Sequence, residues 1–150
     1  MSELRELYQE VILDHNKNPR NFRKLELPSH HAKGHNPLCG DKLELYLVVV
    51  EGTIKDISFV GSGCAISTSS ASLMTQFLKG KSIKETEHYF ENFHDLVTGK
   101  ELDEGALEGL GKLGVFAGVQ EFPARVKCAS LSWHTLMNAL ADTNEIAATE

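Results

Sequence analysis

KLELYLVVVEGTIKDISFVG, running from Lys42 to Gly61, decides how the rest of the chain is read. In its first half Leu43, Leu45, Leu47 and Val49 fall on one face with a period of two, the pattern of a half-buried strand. Glu51-Gly52 supplies a turn, and TIKDISFVG resumes the alternation with Ile57 and Phe59 against Asp56 and Ser58. The stretch predicts a β-hairpin. One strand begins just after Cys39 and its partner ends just before Cys64, so the hairpin brings two thiols to the same end of a sheet.

Beyond the hairpin the period changes. After GSG, the segment CAISTSSASLMTQFLKG spaces Ile66, Leu73, Met74, Phe77 and Leu78 for a helix, which Gly80 stops. Ser82 to His94 predicts another helix, Thr98-Gly99-Lys100 a turn, and Glu101 to Gly118 one or two short helices. A last helix is expected to open near Cys128, with Trp133, Leu136, Met137 and Leu140 on one stripe. Upstream, Leu4, Leu7, Tyr8, Val11 and Ile12 make an amphipathic helix with Ser2 as its cap, and NKNPRN breaks it. Arg20 to Pro37 reads as a connecting arm with room for one short strand. Helix, hairpin and then helices is an α+β layout, in which helices cover a small antiparallel sheet.

The chain has 150 residues, a length suited to one domain spanning 1–150. Hydrophobic residues make up 41% and charged residues 24%, a globular balance. No run approaches the ~18 apolar residues of a membrane span, and the charged N-terminus does not resemble a signal peptide, so a cytoplasmic home is expected. A net charge of -6 disfavours nucleic acid as a partner, because that binding neutralises phosphates with Lys and Arg. The acidic residues between Glu85 and Glu108 read as a solvated helical face.

Three cysteines cannot all pair internally, and a reducing compartment keeps them as thiols. Each falls at an element boundary: Cys39 in NPLCGD, Cys64 in GSGCAIS and Cys128 in FPARVKCASLSW. A helix N-terminus favours thiolate over thiol, so Cys64 and Cys128 are expected to be acidic, the latter helped by Arg125 and Lys127. With Asp41 as an oxygen donor, the three thiolates could complete a tetrahedral zinc site. Each thiol taken alone reads equally well as a small buried hydrophobe, and the CxxC pairs of zinc fingers are missing. His30, His31 and His35 are incidental residues of a polar loop on this reading. His134 is a packing or surface residue, and His15 suits the dipole at the end of the first helix.

Four stretches taken in order, LYQEVILDHNKNPRN, NPLCGD, GSGCAISTSSASLM and FPARVKCASLSW, resemble the U-type iron-sulfur cluster assembly proteins. That family comprises IscU, the NifU N-terminal domain and SufU. The resemblance covers nearly the whole chain and implies an α+β fold with a three-stranded antiparallel sheet. It implies one site built from Cys39, Asp41, Cys64 and Cys128. The SufU branch is the closer match, because Lys127 stands where IscU-type members place a histidine before the third cysteine, and the segment from Cys64 to Cys128 is long. That branch implies a zinc-dependent sulfur acceptor, with Cys39 receiving sulfur from a pyridoxal-phosphate cysteine desulfurase of the SufS type and passing it toward downstream iron-sulfur scaffold proteins. A scaffold for a [2Fe-2S] cluster, with iron at the same residues, is the second reading, and a structural zinc module that only binds a partner is the third.

Overall fold

A computed structural model describes the backbone over residues 2–141 and 147–148, and side chains over 9–141. The hairpin is present as two ten-residue strands, β2 (Asp41–Val50) and β3 (Thr53–Ser62). Glu51 and Gly52 both adopt positive φ, 52° and 76°, which matches the turn to the twist of the strands. Alternation then does what the pattern predicts: Leu43, Leu45, Leu47, Ile57 and Phe59 are buried on one face.

The arm upstream contains a full strand, β1 (His30–Asn36), paired antiparallel with β2 from His30–Leu47 to Asn36–Asp41. HHAKGHN is poor in β-branched residues, and the strand exists because its small residues Ala32 and Gly34 pass under a helix. A Cβ on Gly34 would collide with Thr135 Oγ1 and lie 3.1 Å from Leu131 Cδ1, both on the last helix. The three-stranded antiparallel sheet is present as expected, and its strands are ordered β3-β2-β1. A two-residue strand β4 (Ala147–Ala148) adds to the free edge of β1 in parallel, a pairing no sequence pattern announced.

Helices cover the buried face. They are α1 (Ser2–Lys17), α2 (Ala65–Leu78), α3 (Ile83–Thr98), α4 (Glu104–Leu110), an 11-residue 3₁₀ segment (Gly111–Glu121) and α5 (Pro123–Leu140). Among the described residues none is long and apolar enough to cross a membrane. Helices α2 and α5 lie in contact through small side chains. Buried Ser70 donates to the Ala129 carbonyl at 2.6 Å, which sets α5 beside the start of α2. Trp133 of α5 stacks on Phe93 of α3 at 4.8 Å between ring centres and closes the far side of the core. Several acidic residues of the Glu85–Glu108 segment serve the helices directly. Glu85 forms a capping box with Ser82, Asp103 caps α4, and Asp95 pairs with Lys100. Most of the other acids in that segment are exposed, as a solvated face requires.

One expectation changes and another is extended. Helix α5 opens at Pro123, five residues before Cys128, because proline is well suited to a first helical position and does not break the helix there. His15 lies in the last turn of α1 as expected, but it is buried there: only 2% exposed, it contacts Ser72 Oγ through Nδ1 at 2.7 Å, while the Arg20 N–H donates to the same hydroxyl at 2.8 Å. Burial holds its pKa below the ordinary histidine value, and the Arg20 charge adds to the effect. Val11 and Ile12 of α1 pack against the core. The Ser2 cap and the Leu4, Leu7 and Tyr8 side chains fall outside the described residues.

A histidine whose folded pKa is depressed binds more protons when unfolded, so its contribution to stability is present at high pH. It is lost as pH falls below about 6.5 toward the folded value. The melting temperature should therefore drop between pH 7.5 and 5.5, and His15→Gln should flatten that drop. An unchanged slope would show that the His15–Ser72 contact does not couple folding to protons. His134 should supply part of the residual slope, since burial and then His94 lower its pKa too.

Candidate metal centre

The terminal pair of the β1–β2 ladder, Asn36 and Asp41, brackets a four-residue loop with Cys39 near its tip. Gly40 has φ 72°, the left-handed conformation that lets so short a loop close. Asp41 is completely buried. Its Oδ1 accepts from the Cys64 N–H at 2.8 Å and its Oδ2 from the Asn36 amide at 3.1 Å. The carboxylate thus ties the Cys39 loop to the turn between β3 and α2. Gly63 makes room for it, since a Cβ there would stand 2.6 Å from Asp41 Oδ1.

Cys128 arrives from the other side, on the second turn of α5, and is fully buried. Its thiol lies 3.1 Å from Cys39 Sγ. Donor atoms of Cys39, Asp41 and Cys128 lie within 4.8 Å of one another. Tetrahedral zinc with Zn–S near ~2.3 Å would set its sulfurs about 3.8 Å apart, so small shifts suffice to fit the ion. Cys64 is placed as the N-cap of α2 and its sulfur accepts from the Ser67 N–H at 3.5 Å. It stands outside the mutually close trio, tied to it through its N–H on Asp41 Oδ1, and is among the groups that raise the Cys128 pKa. All four residues named from the sequence are therefore neighbours, with three converged and Cys64 at the edge.

The expected acidity of Cys128 is overturned. Burial pushes its thiol well up, and hydrogen bonding to Cys39 and Cys64 and the nearby charges of Cys64 and Asp41 push the same way. The helix N-terminus is too far off to oppose this, because its field fades within the first turn. A second-turn thiol of this kind is ionised by a bound cation rather than by the helix. Arg125, one turn before Cys128 on the same face of α5, is influenced first by Cys128 and then by Cys64 and Cys39, which raise its pKa and hold the guanidinium protonated. Lys127 is half-buried and is not among the groups that shift the Cys128 thiol. The three histidines of β1 do not join the centre. His31 stacks on Tyr46 at 4.7 Å and contacts Glu44 at 3.1 Å, while His134 packs edge-on to Phe90 at 5.5 Å.

Sequence reasoning missed Asn36. It is fully buried, and its amide donates to Asp41 Oδ2 and, at 3.6 Å, to Cys128 Sγ. The only signal was its place in NPLCGD, where it reads as a turn residue.

Comparison with known proteins gives a concordant set of relatives. The model of the NifU-like N terminal domain matches residues 7–129. The zinc-dependent sulfurtransferase SufU of Bacillus subtilis is 43% identical over 135 residues, covering 90% of each chain. The iron-sulfur cluster assembly scaffold protein IscU of Streptococcus pyogenes is 39% identical, over 93% of this chain and 86% of its own. Among solved structures, a proposed iron-sulfur cluster assembly scaffold protein for the SUF system of Fervidobacterium islandicum is 37% identical. It superposes with a TM-score of 0.81 over 87% of this chain and 94% of its own.

Gly63→Ala should force the Asp41 carboxylate aside and lower affinity for zinc about tenfold, the range seen when a ligand's support is disturbed. Competition against a chromophoric chelator measures this. Unchanged affinity would show that Asp41 is not held for the metal.

Proposed function

Because the chain belongs to the NifU-like N-terminal domain family, we propose that it serves iron-sulfur cluster assembly as a zinc-dependent sulfur acceptor. The donor is a SufS-type, pyridoxal-phosphate cysteine desulfurase carrying a persulfide, and the recipients are downstream iron-sulfur scaffold proteins. Zinc is held by Cys39, Asp41, Cys64 and Cys128. When bound it keeps thiolates deprotonated without oxidising them, since it has no redox chemistry of its own. A similar protein bears the name of zinc-dependent sulfurtransferase, which supports the choice of metal and reaction.

The observation that carries the reading is the asymmetry of the thiols. Cys39 is partly exposed on a short loop with a left-handed glycine, whereas Cys128 is buried in α5 and Cys64 caps α2. Cys64 is also partly exposed, but moving its sulfur gives up the bond from the Ser67 N–H that caps α2, whereas Cys39 can shift toward an incoming persulfide with its loop alone. Its thiolate attacks the outer sulfur of the partner's persulfide, a new S–S bond forms at Cys39, and the S–S bond on the partner breaks. The partner's cysteine leaves as thiolate, the outer sulfur keeps its proton, and no external oxidant or reductant is consumed. Exposed Leu38 and Phe122, each in the segment that carries one of the site's thiols, offer apolar surface for the partner. Arg125 can steady the anionic sulfur.

The purified protein should contain zinc in stoichiometric amount, and desulfurase turnover should rise when the zinc-loaded chain is added and not when metal is removed. Cys39→Ala should abolish capture of labelled sulfur. Capture at the level of the unmodified chain would overturn the assignment. Arg125→Ala should slow capture by up to about fivefold, the range of exposed ionic contacts, while Lys127→Ala stays within twofold. Equal effects from both would reduce Arg125 to ordinary surface charge.

A second reading treats a [2Fe-2S] cluster as cargo assembled at the same thiolates, which the scaffold proteins among the relatives favour. Stable, transferable cluster after anaerobic reconstitution, with zinc failing to support sulfur capture, would select it.

A further inference from the structure

We propose that Asn36 is the positioning residue that makes the site's sulfurs unequal, by giving its two amide hydrogens to Asp41 and Cys128 and none to Cys39. The proposal rests on the metal centre of the sulfur acceptor argued above and adds a residue that is not itself a ligand.

The amide is held in one orientation by its surroundings. Asn36 has no exposed surface, and its Nδ2 lies 3.1 Å from Asp41 Oδ2 and 3.6 Å from Cys128 Sγ. Turning the amide over would bring Oδ1 against the Asp41 carboxylate, acceptor against acceptor. In the orientation adopted, Oδ1 has no hydrogen-bond partner among the described residues. A buried amide that leaves its acceptor unsatisfied is kept for what its two hydrogens do.

What they do differs for the two sulfurs. A hydrogen bond from an amide to a metal-bound thiolate withdraws electron density, which makes that sulfur a weaker nucleophile while fixing its direction toward the metal. Cys128 receives such a bond. The hydrogen bond formed by Cys39 among the described residues is its contact with the Cys128 sulfur, so no amide restrains it. Asn36 also braces the Asp41 oxygen that does not face Cys64, so oxygen and buried sulfur are aligned by one group. Cys39 is left as the more electron-rich and less restrained ligand, and therefore the one that reacts. Strand pairing supports the arrangement. Asn36 and Asp41 are the last register pair of β1 and β2, so the backbone fixes both before any metal binds.

The test replaces Asn36 by leucine, which keeps the volume and removes both donors, and by serine, which keeps one. Full-length Asn36→Leu should bind zinc about 10- to 100-fold more weakly in chelator competition, with serine between it and the original chain. In the cobalt(II)-substituted protein the thiolate-to-cobalt absorption should move to lower energy in Asn36→Leu, a signature that a purely structural role would not produce. If the leucine variant does not fold, a weakening of at least about threefold and the same spectral direction in Asn36→Ser carry the result. Zinc affinity within twofold of the original and an unmoved cobalt band would overturn the role of Asn36 alone. An original chain that holds neither zinc nor cobalt would overturn the metal centre and this proposal together.

Discussion

The Asp41 carboxylate is the constraint on which the site depends. With no exposed surface it cannot be solvated by bulk water, so its oxygens are satisfied by the Cys64 N–H and the Asn36 amide. Those two bonds join the end of β1, the start of β2 and the turn that leads into α2. The close approach in turn requires glycine at position 63, where any Cβ would crowd the carboxylate. Loosening Asp41 would disturb the Cys39 loop and Cys64 directly, because both are placed relative to these segments.

Around that anchor the fold puts three thiols in three environments. Cys39 stands on a short hairpin loop and can move at small cost. Cys64 ends an extended segment and turns its sulfur toward the first amides of α2, a cap that any small polar acceptor could supply. Cys128 is fully buried, and that burial first, then Cys39, Cys64 and Asp41 beside it, disfavours its ionisation. Chemical difference between identical side chains thus comes from burial and neighbours. The helix packing that buries Cys128 is itself maintained at a distance, by the Ser70 contact between α2 and α5 and by the Trp133–Phe93 stack.

Much of this was legible in local pattern. The β2–β3 hairpin follows from strict alternation and from a turn whose residues accept positive φ. Helices α2 and α3 follow from spacing together with Gly80, Ser82 and Gly99. Cys39, Asp41, Cys64 and Cys128 could be named because hairpin geometry and motif order both pointed to them. Strand β1 was faint, since HHAKGHN has neither alternation nor β-branched residues; its pairing comes from the β2 edge and from the clearance of Gly34 beneath α5. The start of α5 was placed too late because the apolar stripe begins only near Cys128, while the helix itself opens at Pro123, a residue suited to the first helical position. The burial of His15 at the end of α1 was not legible, because position in a helix says nothing about what covers it.

The amino-acid sequence by itself determined the elements, the hairpin that joins Cys39 to Cys64, and the family to which the motifs belong, because period, turn chemistry and motif order are local properties. Tertiary structure alone decided that Cys128 is buried in a second turn, that the site's thiols raise the pKa of Arg125, and that Asn36 braces two of the candidate ligands. Each of those facts depends on which atoms meet across separations of many residues, and on how much water is excluded where they meet. Local pattern carries no information about either.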